Sequence, residues 1–376
     1  MIIDSHVYCF VSPNLPAGHP TAIEHLAEVQ VFHALHHQPA WRVRDRAPAD
    51  AGRLLDPTPD EPLRPARDVN FRVDREHGRV VWTIDGEDTV KQVYPPNLHD
   101  VAFGPGSCIA EMDYAGVDMA LMHVDRALGL DVDFLADCVR RNPDRLRSMA
   151  PVDEAAIPVH PERVVADLRR SIVDLGLDAI KFIPEYAYRA GFDGWDDGAF
   201  RSFWDAAIEL HVPIFFTLGA RPGSADERTG FLAELAVLKR WMERYPDADC
   251  SLTHGFPYRA FFEGDRLVLP DDIWEPWQNP RLRLEVSFPV RLGDLIDYPY
   301  REVWPTVEQM AEQIGTDRLM WGTDMPFQNR FCTYRQSRDW IERYCGFLGS
   351  QGLADVMGGT AARLLGVANR TVKAKP

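Results

Sequence analysis

Eight short apolar runs recur along this chain, each followed by a stretch with helical periodicity: residues 2–8, 119–124, 146–152, 179–183, 212–217, 250–254, 282–287 and 318–322. Runs of this length, bounded by Gly, Pro and Asp, read as strands buried on both faces. Between them, Val164, Val165, Leu168, Ile172 and Leu175 keep helical spacing, while Glu162, Arg163, Asp167 and Arg170 turn outward. Residues 198–210 and 230–244 read the same way. From the second run onward the repeat is roughly 30–35 residues, the size of one strand–helix unit in a barrel of about 250 residues. Strands alternating with helices argue for a parallel sheet, and eight is the number that closes. The predicted fold is therefore an α/β structure, a (β/α)8 barrel, with an open doubly wound sheet as the alternative.

One interval breaks the repeat. The barrel is expected over residues 1–10 and 105–367, with residues 11–104 inserted after the first strand. The insertion holds the cluster His33, His36 and His37, which reads as a solvated helix face on which His33 and His37, one turn apart, could share a ligand. A hairpin is predicted over residues 80–86. A loop this long in a compact domain is usually functional, so the insertion reads as a lid or substrate-binding subdomain. Residues 371–376 read as a frayed end.

Charge narrows the partners. The formal net charge of −16 disfavours phosphate backbones and anionic lipids, which leaves a small-molecule substrate, no nucleic acid and no membrane. The apolar stretches fall short of a membrane span, and the N-terminus lacks a basic region, so no signal peptide is expected. Six scattered cysteines without a CxxC pair read as reduced, mostly buried thiols and a cytoplasmic location. Trp274 and Trp277, read as exposed, could serve a homo-oligomer interface.

In a barrel the catalytic residues stand at the C-terminal ends of strands. Those ends carry His6 and Tyr8, His123, Asp153, Glu185, Thr217, His254, Ser287 and Asp324. Burying so many polar groups beside apolar strands is costly unless they serve a site or pair with one another. Metalloprotease (HExxH), P-loop and G-x-S-x-G motifs are absent.

Asp-Ser-His-Val-Tyr (4–8), Leu-Thr-His-Gly (252–255) and Arg-Leu-Met-Trp-Gly-Thr-Asp-Met-Pro (318–326) resemble the first, sixth and eighth strand motifs of the amidohydrolase-related barrel family. That family includes hydrolases and decarboxylases similar to aminocarboxymuconate semialdehyde decarboxylase. The resemblance implies a divalent metal, Zn²⁺ or Mn²⁺, with His6 and Asp324 as ligands and His254 as the acid/base or electrophilic group. It also exposes two departures: Tyr8 replaces the second His of the first-strand pair, and Thr217 stands where a fifth-strand His is expected. Tyr8 could ligate as a phenolate or donate to an oxyanion, and Glu185, His254 or His123 could complete a ligand set. A metal-free site stays open as well.

The expected site thus has His254, Asp324 and Tyr8 as catalytic groups, with His123, Glu185 and Thr217 near the substrate. Trp41 and Arg44, with Arg42 and Arg46, could clamp a carboxylate from the insertion, or form a surface strip paired with nearby acids. Lys181 and Glu185 could be an ion pair instead of a catalytic pair. The leading functional expectation is hydrolysis of a C–N or C–O bond in a small, aromatic or carboxylated substrate. Nonoxidative decarboxylation and a non-catalytic ligand-binding barrel are the alternatives.

Overall fold

The computed structural model describes residues 1–367, so the tail read as frayed lies outside the described residues. Eight parallel strands form one sheet: β1 Ile3–Val7, β2 Met119–Met122, β3 Leu146–Ala150, β4 Ala179–Phe182, β5 Ile214–Phe216, β6 Cys250–Leu252, β7 Leu282–Val286 and β8 Leu319–Trp321. They pair in chain order, so each crossover helix returns the chain beside the strand it left. Sequence periodicity is met in the helices Pro161–Arg169, Arg201–Ile208 and Glu227–Arg244. The sheet curls into a nearly closed barrel whose strand residues are almost all buried, which is why the runs lack an alternating pattern.

The observed strands stop short of the apolar runs. Thr217, His254 and Ser287 lie just past β5, β6 and β7, and Asp324 stands after β8. These positions lie past the regular ladder, where Thr217 and Asp324 keep only single backbone bonds, to the Phe182 and His6 carbonyls.

Between β1 and β2 the chain forms a helix, Ala22–Leu35, and a five-stranded sheet. The predicted hairpin is there: Arg79–Ile84 pairs with Glu87–Lys91 across Asp85-Gly86, both with positive φ (54° and 78°), as a two-residue primed turn requires. Leu54, Val69 and Trp82 help give this sheet its own small core. Phe10 and Phe103 exchange backbone hydrogen bonds of 3.0 and 2.9 Å, pinching the two ends of the insertion together at the barrel.

Several surface expectations are corrected. His33 is buried, its Nδ1 2.8 Å from the Val29 carbonyl and its ring against Phe71 and Tyr94. The helix ends at Leu35, so His33 and His37 do not share a helical face; His37 stacks on His36 instead. Trp274 and Trp277 are buried against Phe256 and offer no interface. All six cysteines are free and buried, as expected. Among the described residues no helix is long and apolar enough to cross a membrane.

Candidate active site

The site grows out of the seam where β1 meets β8. Regular pairing gives way there to single bonds: Asp324 N–H donates to the His6 carbonyl at 2.8 Å, and Tyr8 N–H to that of Met325 at 2.7 Å. Asp4, buried in the seam, accepts from His6 N–H (2.9 Å), Thr323 N–H (3.1 Å), Thr323 Oγ1 (2.5 Å) and Tyr334 OH (2.7 Å). His6 and Asp324 are thereby fixed across from each other.

His6 Nδ1 lies 3.0 and 3.1 Å from the two carboxylate oxygens of Glu285, a residue of β7. A carboxylate only accepts, so the ring proton belongs on Nδ1 and the lone pair on Nε2. That Nε2 has no hydrogen bond and stands 3.2 Å from Asp324 Oδ1. Two lone-pair atoms face each other there, an arrangement that calls for a cation or a proton between them. The His254 ring lies 4.5 Å from that of His6, and its Nδ1 is buried and unpartnered, 3.9 Å from Glu285 Oε1.

One ligand atom each from His6, His254 and Asp324 falls within 4.8 Å of the others. Ligands ~2.1 Å from a tetrahedral ion stand roughly 3.4 Å apart, so the 3.2 Å between His6 Nε2 and Asp324 Oδ1 suits two ligands of one cation. The orphaned nitrogens of His6 and His254 complete the fit. Burial, with Lys181 nearby, holds His6 well below the usual imidazole range. Burial, with the neighbouring His6, does the same for His254, and a neutral imidazole is the form that ligates.

A second group, His6, His123 and Glu285, is equally compact. Its chemistry is spent. His123 Nε2 lies 2.8 Å from the Ser5 carbonyl, and its Nδ1 2.8 Å from Lys181 Nζ. The carbonyl requires a proton on Nε2, so Nδ1 accepts from the ammonium and neither nitrogen is left to hold an ion. His123 stacks on His6, centroids 3.6 Å apart at 13°, and supports that ring instead of facing substrate as expected.

Exposure separates floor from mouth. The side chains of His6 and Glu285 are 0% exposed, those of Asp324 and His254 13% and 17%. Burial, then the Glu285 charge, raises Asp324 well above the carboxylate range. Tyr8 stands in the wall, its ring 5.1 Å from that of His6. Burial, then Asp324, pushes its phenol well up, which suits a hydrogen-bond donor and speaks against a phenolate ligand. Thr217 keeps a buried, unpartnered hydroxyl.

The remaining expected residues lie elsewhere. Pro184 opens the helix Pro184–Arg189, so strand alternation never reaches Glu185; that side chain turns outward and pairs with Arg189. Lys181, its supposed partner, is buried inside the barrel. Arg44 is 66% exposed and reaches Asp45 and Glu87 on the insertion's own surface, and Arg42 pairs with Asp45. Trp41 lines a shallow groove with Pro39, Arg46 and Arg79. Arg42 and Arg44 thus pair with acids on the insertion's own surface. Glu285 went unread because Ser287, two residues on, reads as the end of that strand; a lone carboxylate in Leu-Arg-Leu-Glu-Val was its signal.

Two solved structures share the architecture. A 2,6-dihydroxybenzoate decarboxylase from Rhizobium superposes with a TM-score of 0.50 at 18% identity, over 69% of this chain and 87% of its own. A provisionally assigned 2-pyrone-4,6-dicarboxylic acid hydrolase from Pseudomonas putida gives 0.52 at 17% identity, over 73% and 90%. At such identities the likeness concerns the fold. No curated protein matches the chain. The amidohydrolase family model matches residues 86–367, which takes in β2 to β8 with His254, Glu285 and Asp324. A match over that much of the sequence, on a barrel whose strand ends converge on one acid/base cluster, makes this chain a member of the amidohydrolase family and an enzyme of its fold.

Proposed function

We propose that the chain hydrolyses a C–N or C–O bond in a small carboxylated or aromatic substrate. The observation that carries this reading is the two-group mouth: Asp324 and His254 are the partly exposed members of the cluster, set above a sealed His6–Glu285 pair. Hydrolysis needs one group to take a proton from water and another to donate toward the developing oxyanion or leaving group. Asp324 takes the first role and His254 the second. Tyr8, in the adjoining wall, offers a further donor. His6 and Asp324 would hold a divalent ion, Zn²⁺ or Mn²⁺, with His254 the third group in reach. Such an ion would supply Lewis-acid polarisation of the scissile bond. The insertion over residues 11–104 acts as a roof, since Tyr94 packs on Phe327 beside the mouth.

Turnover in oxygen-18 water is expected to leave one labelled atom in the product. Asp324→Asn should lower the rate at least about a hundredfold, the scale of a lost general base, and near-wild-type turnover would refute its role. Elemental analysis of protein dialysed against Zn²⁺ or Mn²⁺ should find about one ion per chain, lost in His6→Ala. Unchanged metal content in that variant would place the ion elsewhere.

Nonoxidative decarboxylation is the second reading. What favours it is that burial and the Glu285 charge raise Asp324 well above the carboxylate range, which suits it to deliver the proton that takes the place of CO₂. Release of CO₂ without label from water would decide for it.

A further inference from the structure

Lys181 is a costly residue for the inside of a barrel. It lies in β4, is 2% exposed, and among the described residues has no carboxylate within ion-pair distance. Its Nζ lies 2.8 Å from His123 Nδ1 and 3.4 Å from Thr253 Oγ1. Burial lowers the ammonium, and the Glu285, Asp125, Asp324 and Glu154 charges, further off, oppose that. Filling the same space with an apolar side chain of equal length would cost less than burying an ammonium against an imidazole. The lysine therefore marks a need for a donor at that nitrogen.

His123 shows what the donor does. Its Nε2 donates to the Ser5 carbonyl at 2.8 Å, so the Nδ1 lone pair faces Lys181 and the ring is held at both nitrogens. Phe215 stands edge-on to it, centroids 5.6 Å apart at 77°, and offers no polar partner. On that fixed ring lies His6, centroids 3.6 Å apart at 13°. Glu285 meets His6 only at one edge, through Nδ1. A ring held at one edge can rock about that contact, and the stacked face removes this freedom. The lone pair of His6 Nε2, 3.2 Å from Asp324 Oδ1, takes its direction from the result. We propose that Lys181 is a positioning residue, which locks the tautomer and plane of His123 and, through that ring, the plane of His6. The inference rests on the catalytic reading only where it takes His6 as a metal ligand; the chain from Lys181 to His6 stands on contacts within the barrel.

Nitrogen NMR of metal-free protein labelled at its histidines tests this without turnover. His123 should carry its proton on Nε2 and His6 on Nδ1, each as one tautomer. Lys181→Met, uncharged and of similar length, should leave the fold intact, yet release His123 to a mixture of tautomers and shift the His6 nitrogens. Affinity for Zn²⁺ in a chelator-buffered titration should fall at least about tenfold in that variant, the scale of a lost outer partner of a ligand. In a His123→Phe background, which keeps a stacked ring and removes the acceptor, Lys181→Met should move the His6 nitrogens no further. A proton on His123 Nδ1 in the wild type overturns the proposal, and that spectrum stands even where a variant fails to fold. So do His6 nitrogens that stay unmoved in Lys181→Met, or that move equally in both backgrounds. No Zn²⁺ taken up by the wild type, with the spectral changes present, would sink the metal reading and leave the positioning role. Equal uptake by wild type and Lys181→Met, with unmoved spectra, would do the reverse.

Discussion

At the scale of single residues, the mouth is held in uncommon backbone. His254 and Asp324 both adopt left-handed conformations, with φ of 65° and 63°. Asp and His tolerate this region better than most residues, yet a side chain there costs ~1–2 kcal/mol relative to a right-handed turn. Such strain persists only where the surrounding structure over-determines it, and here it aims the side chains into the mouth as the chain leaves β6 and β8. The glycine variants at these positions should therefore melt above the alanine variants, by about 1 kcal/mol of stability each, although all four lose activity. Thermal denaturation of His254→Gly against His254→Ala, and of Asp324→Gly against Asp324→Ala, gives the comparison. Alanine proving the more stable would mean that the native backbone carries no such strain. Gly255, next in the chain, has a firmer requirement: a Cβ there would fall 2.1 Å from the Tyr258 hydroxyl.

At the scale of elements, β7 and β8 approach so closely that one residue must lack a side chain. A Cβ on Gly322 would lie 2.7–2.8 Å from Cγ, Cδ and Oε1 of Glu285, the carboxylate that orients His6. Gly322 has no positive φ to relieve, so Gly322→Ala acts through that clash alone. It should displace Glu285, release His6 from its tautomer, and lower activity by about tenfold or more with a modest loss of stability. Steady-state kinetics with a melting curve would show it, and full activity would mean that Glu285 does not position His6. This geometry also marks what the sequence could disclose. Eight strands were legible because burial on both faces writes a continuous apolar run, and His6, His254 and Asp324 were legible because barrel strands end in their functional groups. Glu285 was not: it holds the penultimate place in β7, as His6 does in β1, but Ser287 reads as the functional end of that strand. Trp41 and Arg44 misled for a related reason: an aromatic beside cations describes a clamp or a solvated edge equally well, and only the sheet's placement decides.

At the scale of the whole molecule, the barrel closes at its weakest seam, and His6 and Asp324, the proposed metal ligands, face each other across it. Every other neighbouring strand pair forms a parallel ladder, whereas β1 and β8 are joined by the Val7–Met325 bridge, the bonds around it and the Ser5 hydroxyl on the Trp321 carbonyl. Asp4 replaces the missing ladder, since its four donors come from β1, from the loop after β8 and from Tyr334 of the helix Tyr334–Tyr344. Truncating it would strand those donors in a buried place, each at a cost of ~1–3 kcal/mol. Asp4→Ala should therefore open the seam locally: amide exchange should quicken at His6, Thr323 and Asp324 while β4, β5 and β6 keep their protection, because those ladders do not pass through Asp4. Activity and bound metal should fall together, since His6 and Asp324 lose their separation when the seam parts. Uniform loss of protection across the barrel would mean instead that closure is shared by all eight strands, and that the site draws its geometry from the fold as a whole.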